Sequence, residues 1–196
     1  MKQAALRSKS PQIPILAKEK SAYGGSLLKT RKGRSRGRPL STKETMHLVL
    51  RSTKAKGDWS FKRPRNEARI NRIVDKFAVT YGVRVISMAN VGNHLHLHIK
   101  LSSRFGYRPF ICAITSAIAM AITGRNRWTA ASTATRERFW DYRPFTRFVE
   151  SFKAYLNLKD YVRINQLEGD GHKRDDARFM LGIERGFAAE PDWFAS

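Results

Sequence analysis

Three histidines alternate with aliphatic residues in the segment His94–Leu101, which reads His-Leu-His-Leu-His-Ile-Lys-Leu. Successive side chains of a β-strand point to opposite faces, so the histidines and Lys100 share one face and the aliphatic residues face a core. The Cα atoms of His94 and His96 would lie roughly 6.5–7 Å apart, which lets both imidazoles bind one metal ion. His98 lies about twice as far from His94, so the pattern favours one histidine pair completed by a ligand from another element.

Other interpretations of this strand stay open at this stage. The three imidazoles could be polar residues on a solvated face, or they could contact phosphate as part of a basic surface. A metallo-β-lactamase-type H-x-H-x-D-H motif is excluded, because a motif that began at His94 would find His98 and Ile99 where its Asp and His should be, and one that began at His96 would find Lys100 and Leu101. A two-histidine phosphoesterase needs a second H-x-[ST] motif, which the other histidines, His47 and His172, do not form.

A second candidate for chemistry lies on a predicted helix at 151–167. Tyr161 and Asn165 are four residues apart, and therefore lie one turn apart on the same face of this helix. A phenol is a nucleophile, and an amide oxygen beside it could reach a metal, so the two residues could form a nucleophile–ligand pair. Tyr155 has Lys159 at the same spacing, which offers no ligand. The alternative is that Tyr161 lies at the edge of the core and Asn165 is a surface amide.

Hydrophobic periodicity predicts the elements that must position these residues. An apolar stripe from Ile70 to Tyr81 predicts a helix that ends at Gly82, and a second helix is expected to begin at Pro109 and end at Gly124. Strands are predicted at 46–50, 83–88 and His94–Leu101, with a turn at 90–93 between the last two. A polar loop is predicted at 125–138, followed by an edge strand or irregular hairpin within 139–149. A short helix is expected near 175–185.

This order, β-α-β-β-α-β followed by a helix, predicts an α+β fold. The expected architecture is a ferredoxin-like split βαβ antiparallel sheet with helices on one face, plus a C-terminal helix that is catalytic if Tyr161 is the nucleophile.

The chain is strongly basic. Its 196 residues contain 38 Lys and Arg against 16 Asp and Glu, which gives a formal net charge of +22 and indicates a polyanionic partner such as nucleic acid. A single cysteine, Cys112, excludes a disulfide framework and a cysteine-based zinc cluster. The longest uncharged apolar segment, 110–123, is shorter than the about 20 residues that span a bilayer, so we expect a core helix and no membrane partner. A cytoplasmic, nucleoid-associated protein is the expectation.

The charge is concentrated at the start of the chain. The first forty residues contain eleven Lys and Arg and one acidic residue, Glu19, and Gly and Ser separate the bases at 31–38. We therefore predict a basic disordered arm at 1–40, a folded domain at 41–169 and a C-terminal tail at 170–196. The arm would slide along phosphates, or it would be a solvated tail without a specific target.

Taken together, the two motifs resemble those of a known family. The segment from Asn93 to His98, Asn-His-Leu-His-Leu-His, resembles the NHVHLL motif of single-tyrosine HUH transposases, and residues 161–169, Tyr-Val-Arg-Ile-Asn-Gln-Leu-Glu-Gly, resemble their YIxxNPvRAG helix. Phe139-Trp140 is similar to a Phe-Trp segment that precedes this helix, and residues 46–51 are similar to the opening HVxxR strand. The resemblance covers about residues 40–169 and is nearest to the IS200-like, REP-associated tyrosine transposases.

The resemblance implies that His94 and His96 bind a divalent metal ion (Mg²⁺ or Mn²⁺), that Asn165 completes the ligand set, and that Tyr161 attacks a DNA phosphate. The substrate would be single-stranded or hairpin-forming DNA, left with a 5′-phosphotyrosine and a free 3′-OH, so that strands are cut and rejoined in transposition. The resemblance assigns no role to His98, which could be an extra ligand, a proton shuttle or a phosphate contact. Both a monomer and a homodimer are compatible with the resemblance.

The sequence departs from the family at a few positions beside these motifs. Val91-Gly92 replaces a usual Met-Pro, Gln166 replaces a Pro, and Glu168 replaces an Arg.

Basic residues interleaved with aromatic ones predict the surface that would bind DNA. Residues 140–147 alternate bases that pair with phosphates and aromatics that stack on nucleobases, although Trp140 could equally be a core residue. The predicted nucleic-acid contacts are Arg51, Lys100, Trp140, Arg143 and Arg147. The alternative function is a non-catalytic nucleic-acid-binding ferredoxin-like protein or a degenerate transposase, although the RNP1 motif of RNA-recognition modules is missing.

Overall fold

An antiparallel sheet forms the centre of the computed structural model, which describes residues 23–24, 40–124, 138–141 and 143–182. Its strands are β1 (Tyr23–Gly24), β2 (Thr45–Arg51), β3 (Val83–Asn90), β4 (His94–Leu101) and β5 (Phe145–Phe148). The helices are α1 (Pro64–Thr80), α2 (Arg104–Thr123), α3 (Phe152–Gly169) and α4 (Arg174–Met180).

The strand order is β1-β5-β2-β4-β3, and β4 pairs antiparallel with both β2 and β3. Strand β4 therefore splits the β2-α1-β3 unit, and the four longer strands have the ferredoxin-like order. The predicted α+β fold is confirmed. The two-residue strand β1 extends the sheet beyond β5.

The main core lies on one face of the sheet, under α1 and α2. Strand β4 directs Leu95, Leu97 and Ile99 to this face, and all three are fully buried. Their alternation with the histidines is the period of two that the sequence predicts. The other large, fully buried members of this core come from β2, the segment before α1, α1, α2 and the end of β4: Met46, Leu48, Leu50, Phe61, Ile70, Leu101, Phe110, Ile114 and Ile118.

Helix α3 packs on the opposite face of the sheet, which we call the histidine face because it carries His47, His94, His96 and His98. A second, smaller core lies here: Ala89, Val149, Leu158, Tyr161 and Val162. His96 and His98 are fully buried, and His47 is only 2% exposed. The interpretation of this strand as a solvated polar face is therefore wrong.

Helix α2 begins earlier than predicted. It starts at Arg104, where the hydroxyl of the N-cap residue Ser103 accepts a hydrogen bond from the backbone N–H of Phe105. Pro109 lies inside the helix, so its prediction as the first helical residue is wrong. Gly106 explains the close packing of this first turn, because a Cβ at this position would lie 2.3 Å from the carbonyl oxygen of Tyr81.

The composition of α2 is also that of a helix that could cross a membrane. It is the one helix in the described part of the chain that is long and apolar enough to do so by length and composition. Its buried residues, among them Phe110, Ile114 and Ile118, pack into the main core of the sheet.

The remaining elements follow the predictions closely. Helix α1 is followed by Gly82, with a positive φ of 62°, and β3 continues two residues beyond the predicted strand, with a bulge between Val85 and Ser87. Helix α4 lies in the predicted tail and overlaps the short helix expected near 175–185. Most of the predicted arm, the loop at 125–137, Tyr142 and residues 183–196 lie outside the described residues.

Candidate active site

Cross-strand pairing brings four histidines together on the histidine face. His47 of β2 lies directly opposite His98 of β4, and the neighbouring pair on the same face places Val49 opposite His96. The rings of His94 and His96 lie 4.8 Å apart between centroids, at an interplanar angle of 75°. The two rings predicted to share one ion are therefore neighbours on this face.

The Nδ1 atoms of both rings are engaged within the protein. Nδ1–H of His94 donates to Oδ1 of Asn93 at 2.6 Å, since an amide oxygen can only accept. Nδ1 of His96 lies 3.1 Å from Nε2 of His47 in a buried hydrogen bond between the two rings. A cation shared by His94 and His96 would therefore be bound through their Nε2 atoms.

Burial keeps this pair of imidazoles neutral. Desolvation, aided by the guanidinium of Arg51, lowers the pKa of His94 from 6.5 to about 4. Desolvation together with the neighbouring rings of His47 and His94 lowers the pKa of His96 well below 6.5. Both rings therefore offer lone pairs at neutral pH, as metal ligation requires.

The other two histidines are neutral for the same reason. Desolvation, followed by the charges of His98 and Arg147, lowers the pKa of His47 to about 3. Desolvation alone lowers the pKa of His98 to about 4. Nε2 of His98 lies 2.8 Å from Oγ1 of Thr45, so its hydrogen bond leads away from the ligand pair.

Tyr161 packs directly on the imidazoles. Its ring lies edge-on to His96, with centroids 5.4 Å apart, and edge-on to His47, with centroids 5.8 Å apart. Earlier in α3, the ring of Tyr155 lies 5.0 Å from that of His98. Helix α3 therefore runs along β4 from its end toward its start, and the residues after Tyr161 approach the level of His94.

Asn165 lies on the same buried face, one turn after Tyr161. It is 6% exposed, and its Nδ2 donates to the carbonyl oxygen of Tyr161 at 2.7 Å. Because Nδ2 is used in this bond, Oδ1 is the amide atom of Asn165 that can bind a metal ion. Among the described residues, no group of three or more His, Cys, Asp or Glu is placed to hold a metal. Two neutral imidazoles and one amide oxygen nevertheless fit a divalent cation that completes its shell with oxygen ligands.

Close contacts fix the end of α3 against β3. Oε1 of Gln166 accepts a hydrogen bond from the backbone N–H of Asn90 at 2.9 Å. A Cβ at Gly169 would lie 2.3 Å from the carbonyl oxygen of Asn90, so only glycine permits this approach. Lys62 forms an ion pair with Asp170 just beyond the helix. Gln166, one of the departures from the family motif, thus serves as a contact between helix and sheet.

Comparison with known proteins assigns the family. The sequence profile described as "Transposase IS200 like" matches residues 41–165. The chain belongs to this family. Membership gives it a role in DNA processing as a transposase. None of the curated proteins compared with this chain matches it.

Two solved structures are similar to this IS200-like transposase. One is a REP-associated tyrosine transposase bound to a REP hairpin, with a TM-score of 0.50 and 11% identity, over 81% of this chain and 92% of that one. The other is a protein from Deinococcus radiodurans that was solved as a transposase candidate, with a TM-score of 0.39 and 14% identity, over 70% of this chain and 98% of that one. The first likeness supports the same fold.

Two of the predicted DNA contacts of this transposase lie beside the histidines. Arg51, whose side chain is 42% exposed, lies opposite His94 and forms an ion pair of 3.8 Å with Asp141. Arg147 is exposed on β5, opposite His47. The strand pairing puts both arginines on the histidine face, where their exposed guanidinium groups could contact phosphates of a bound strand.

The other predicted contacts are less directly placed. Arg143 is exposed just before β5, and Lys100 is half-buried at the far end of β4, opposite Thr45. Trp140 is half-buried against the main core, and its indole N–H donates to the carbonyl oxygen of Thr115 in α2 at 2.9 Å. This position favours a packing role for Trp140 over base stacking.

Sequence reasoning missed His47 as a member of the site. Its ring contacts both His96 and Tyr161, but in the sequence it is a lone histidine 47 residues before His94. The signal that could have found it is the pairing of the first and third strands in a split βαβ sheet, which puts alternate residues of both strands on one face.

Proposed function

We propose that this transposase cuts and rejoins single-stranded DNA through a covalent bond between Tyr161 and a DNA phosphate. His94, His96 and Asn165 would hold a divalent cation, Mg²⁺ or Mn²⁺, beside the scissile phosphate. One observation above all supports the proposal: the Tyr161 ring packs on His96, whose own ring lies next to His94. The proposed nucleophile on α3 and the proposed ligand pair on β4 are therefore neighbours in the fold.

The proposed reaction is a transesterification. The Tyr161 oxygen attacks phosphorus, the bond from phosphorus to the 3′ oxygen breaks, the phenol loses its proton, and the 3′ oxygen leaves as a hydroxyl. The product is a 5′-phosphotyrosine with a free 3′-OH, and the reverse step rejoins the strand without another energy source. A free tyrosine with a pKa of about 10 is a weak nucleophile at neutral pH. The bound cation would supply charge withdrawal from the non-bridging phosphate oxygens.

The chain's own residues provide the setting for this step. The neutral imidazoles add no negative charge, so the positive charge of a bound cation is not offset by its protein ligands. The hydrogen bond from Asn165 to the Tyr161 carbonyl keeps the proposed ligand and the nucleophile in one rigid turn of α3. The packing of the Tyr161 ring against two imidazoles limits the directions in which its hydroxyl can point.

The proposed partner is single-stranded or hairpin-forming DNA. The net charge of +22 supports binding of a polyanion, and Arg51 and Arg147 border the site. One solved relative is bound to a REP hairpin, which is why a hairpin is the first substrate to test. Localisation at the nucleoid would follow from such binding.

A covalent-adduct assay tests the proposal. The full chain is incubated with labelled single-stranded and hairpin oligonucleotides and Mn²⁺, and adducts are separated on a denaturing gel. We expect an adduct that EDTA and Tyr161→Phe abolish. Tyr155→Phe is the matched control, because Tyr155 lies on the same helix and faces His98 instead of His96. An adduct that persists in Tyr161→Phe would refute the assignment of the nucleophile.

Binding without cleavage is the second candidate function. It is favoured by the lack of a group of three or more His, Cys, Asp or Glu suited to a metal among the described residues. Under this alternative, the same oligonucleotides bind the chain tightly, no adduct forms with any divalent ion, and Tyr161→Phe leaves binding unchanged.

A further inference from the structure

The hydrogen bond between His47 and His96 joins two buried rings from different strands. Nε2 of His47 lies 3.1 Å from Nδ1 of His96, and the ring planes are nearly parallel, at 13° with centroids 5.3 Å apart. His47 is 2% exposed and His96 is fully buried. Two neutral imidazoles can form this bond in either direction, because each has one N–H and one acceptor nitrogen.

The neighbouring ligand indicates which direction is used. Asn93 holds His94 with the proton on Nδ1, so that Nε2 of His94 is the nitrogen without a proton. A cation shared by both rings requires the same tautomer of His96. The proton must then lie on Nδ1 of His96, and Nε2 of His47 must accept it.

We propose that His47 is a positioning residue for metal binding: its Nε2 accepts a hydrogen bond from Nδ1–H of His96 and keeps Nε2 of His96 unprotonated for the cation. This inference rests on the proposed function, since it assigns a partner to one of the proposed ligands. Outer-shell partners of this kind orient a ligating histidine and raise its basicity. In this role His47 acts through His96.

The contact of His47 with Tyr161 gives it a second positioning role. The edge of the His47 ring lies against the Tyr161 ring, with centroids 5.8 Å apart, and Phe145 packs edge-on to His47 at 6.4 Å. The same imidazole therefore contacts a proposed ligand and the proposed nucleophile. Its replacement by a side chain without an acceptor would affect metal binding directly, and not only the stability of the fold.

Titration of the purified full chain with Mn²⁺ tests this role. Calorimetry compares wild type with His47→Leu, which removes the acceptor, and with His47→Gln, whose amide oxygen can still accept from His96. His98→Leu is the matched control, because His98 is equally buried, lies directly opposite His47 and bonds to Thr45. We expect Mn²⁺ affinity to fall about 10- to 100-fold in His47→Leu. It should recover at least in part in His47→Gln and change little in His98→Leu.

A direct reading of the tautomer covers the case in which the His47 variants do not fold. Long-range ¹⁵N NMR of the metal-free wild type distinguishes protonated from unprotonated ring nitrogens. We expect the proton of His96 on Nδ1, and a proton on its Nε2 would overturn the inference.

A His94→Ala variant separates the two proposals. If wild type and His94→Ala bind Mn²⁺ equally weakly, the proposed metal site fails and the inference fails with it. If His94→Ala loses binding while His47→Leu keeps the wild-type affinity, the inference alone is overturned.

Discussion

Acid should destabilise the metal-free protein, because the histidine face is buried in its neutral form. His98 sets the magnitude, since burial lowers its pKa from 6.5 to about 4. As the pH falls below 6.5, the unfolded chain takes up a proton at this residue, whereas the folded chain does so only near pH 4. Stability is therefore full above pH 6.5 and is lost as the pH falls toward 4. At pH 5 one such histidine costs about 2 kcal/mol.

That cost is measurable, because the whole free energy of unfolding of a domain is typically about 5–15 kcal/mol. The assay is urea unfolding in EDTA, followed by circular dichroism, at pH 7 and at pH 5. His98→Leu removes the titrating group, and the carboxylates that also titrate are common to both proteins. We expect wild type to lose about 2 kcal/mol more than His98→Leu between the two pH values. Equal losses in the two proteins would refute the view that His98 is held neutral by burial.

Four further substitutions test particular contacts. Gly169→Ala places a Cβ against the backbone of Asn90 and should lower the free energy of unfolding by about 1–3 kcal/mol in urea titrations; wild-type stability would contradict the close packing of α3 on β3. Asn165→Ala should lower Mn²⁺ affinity by about tenfold or more in calorimetry without loss of helix, and unchanged affinity would remove Asn165 from the ligand set. Arg147→Ala and Arg51→Ala should each reduce the dependence of log K on log salt for a single-stranded oligonucleotide by about 0.7, and an unchanged slope would show that the guanidinium does not contact a phosphate.

Local patterns were sufficient for most of the fold. The strict alternation of β4 predicts a strand with the same ends as in the structure. The apolar stripe that starts at Ile70 predicts α1, which the structure begins six residues earlier, at Pro64. Pro109 misled the prediction of α2, because proline is common in a first helical turn and the cap at Ser103 lies further upstream. The bulge in β3 also had no local signal, since it depends on how β3 pairs with β4.

The candidate site could be predicted only in part, for a similar reason. His94 and His96 are visible because two residues on one strand have a fixed separation. The contact between His96 and Tyr161 depends on which face of the sheet α3 covers. Neither the sequence of β4 nor that of α3 predicts this face. His47 reaches the site through the pairing of β2 with β4, a contact between residues 49 positions apart. For Trp140 the sequence predicts a contact that the structure does not favour. The residues around it are compatible both with a base-stacking surface and with the core contact that its indole makes.

The ribosome synthesises the histidines of β4 before Tyr161 of α3, because this is their order along the chain. Tyr161 follows His98 by 63 residues (161 − 98), which is about 3–13 s of synthesis at 5–20 residues per second. The buried members of the main core lie between Met46 and Ile122, so all of them are made before α3. During this interval α3, the helix that covers the imidazoles in the folded chain, has not yet been made. Tyr161, the proposed nucleophile, is thus made after every buried residue of the main core.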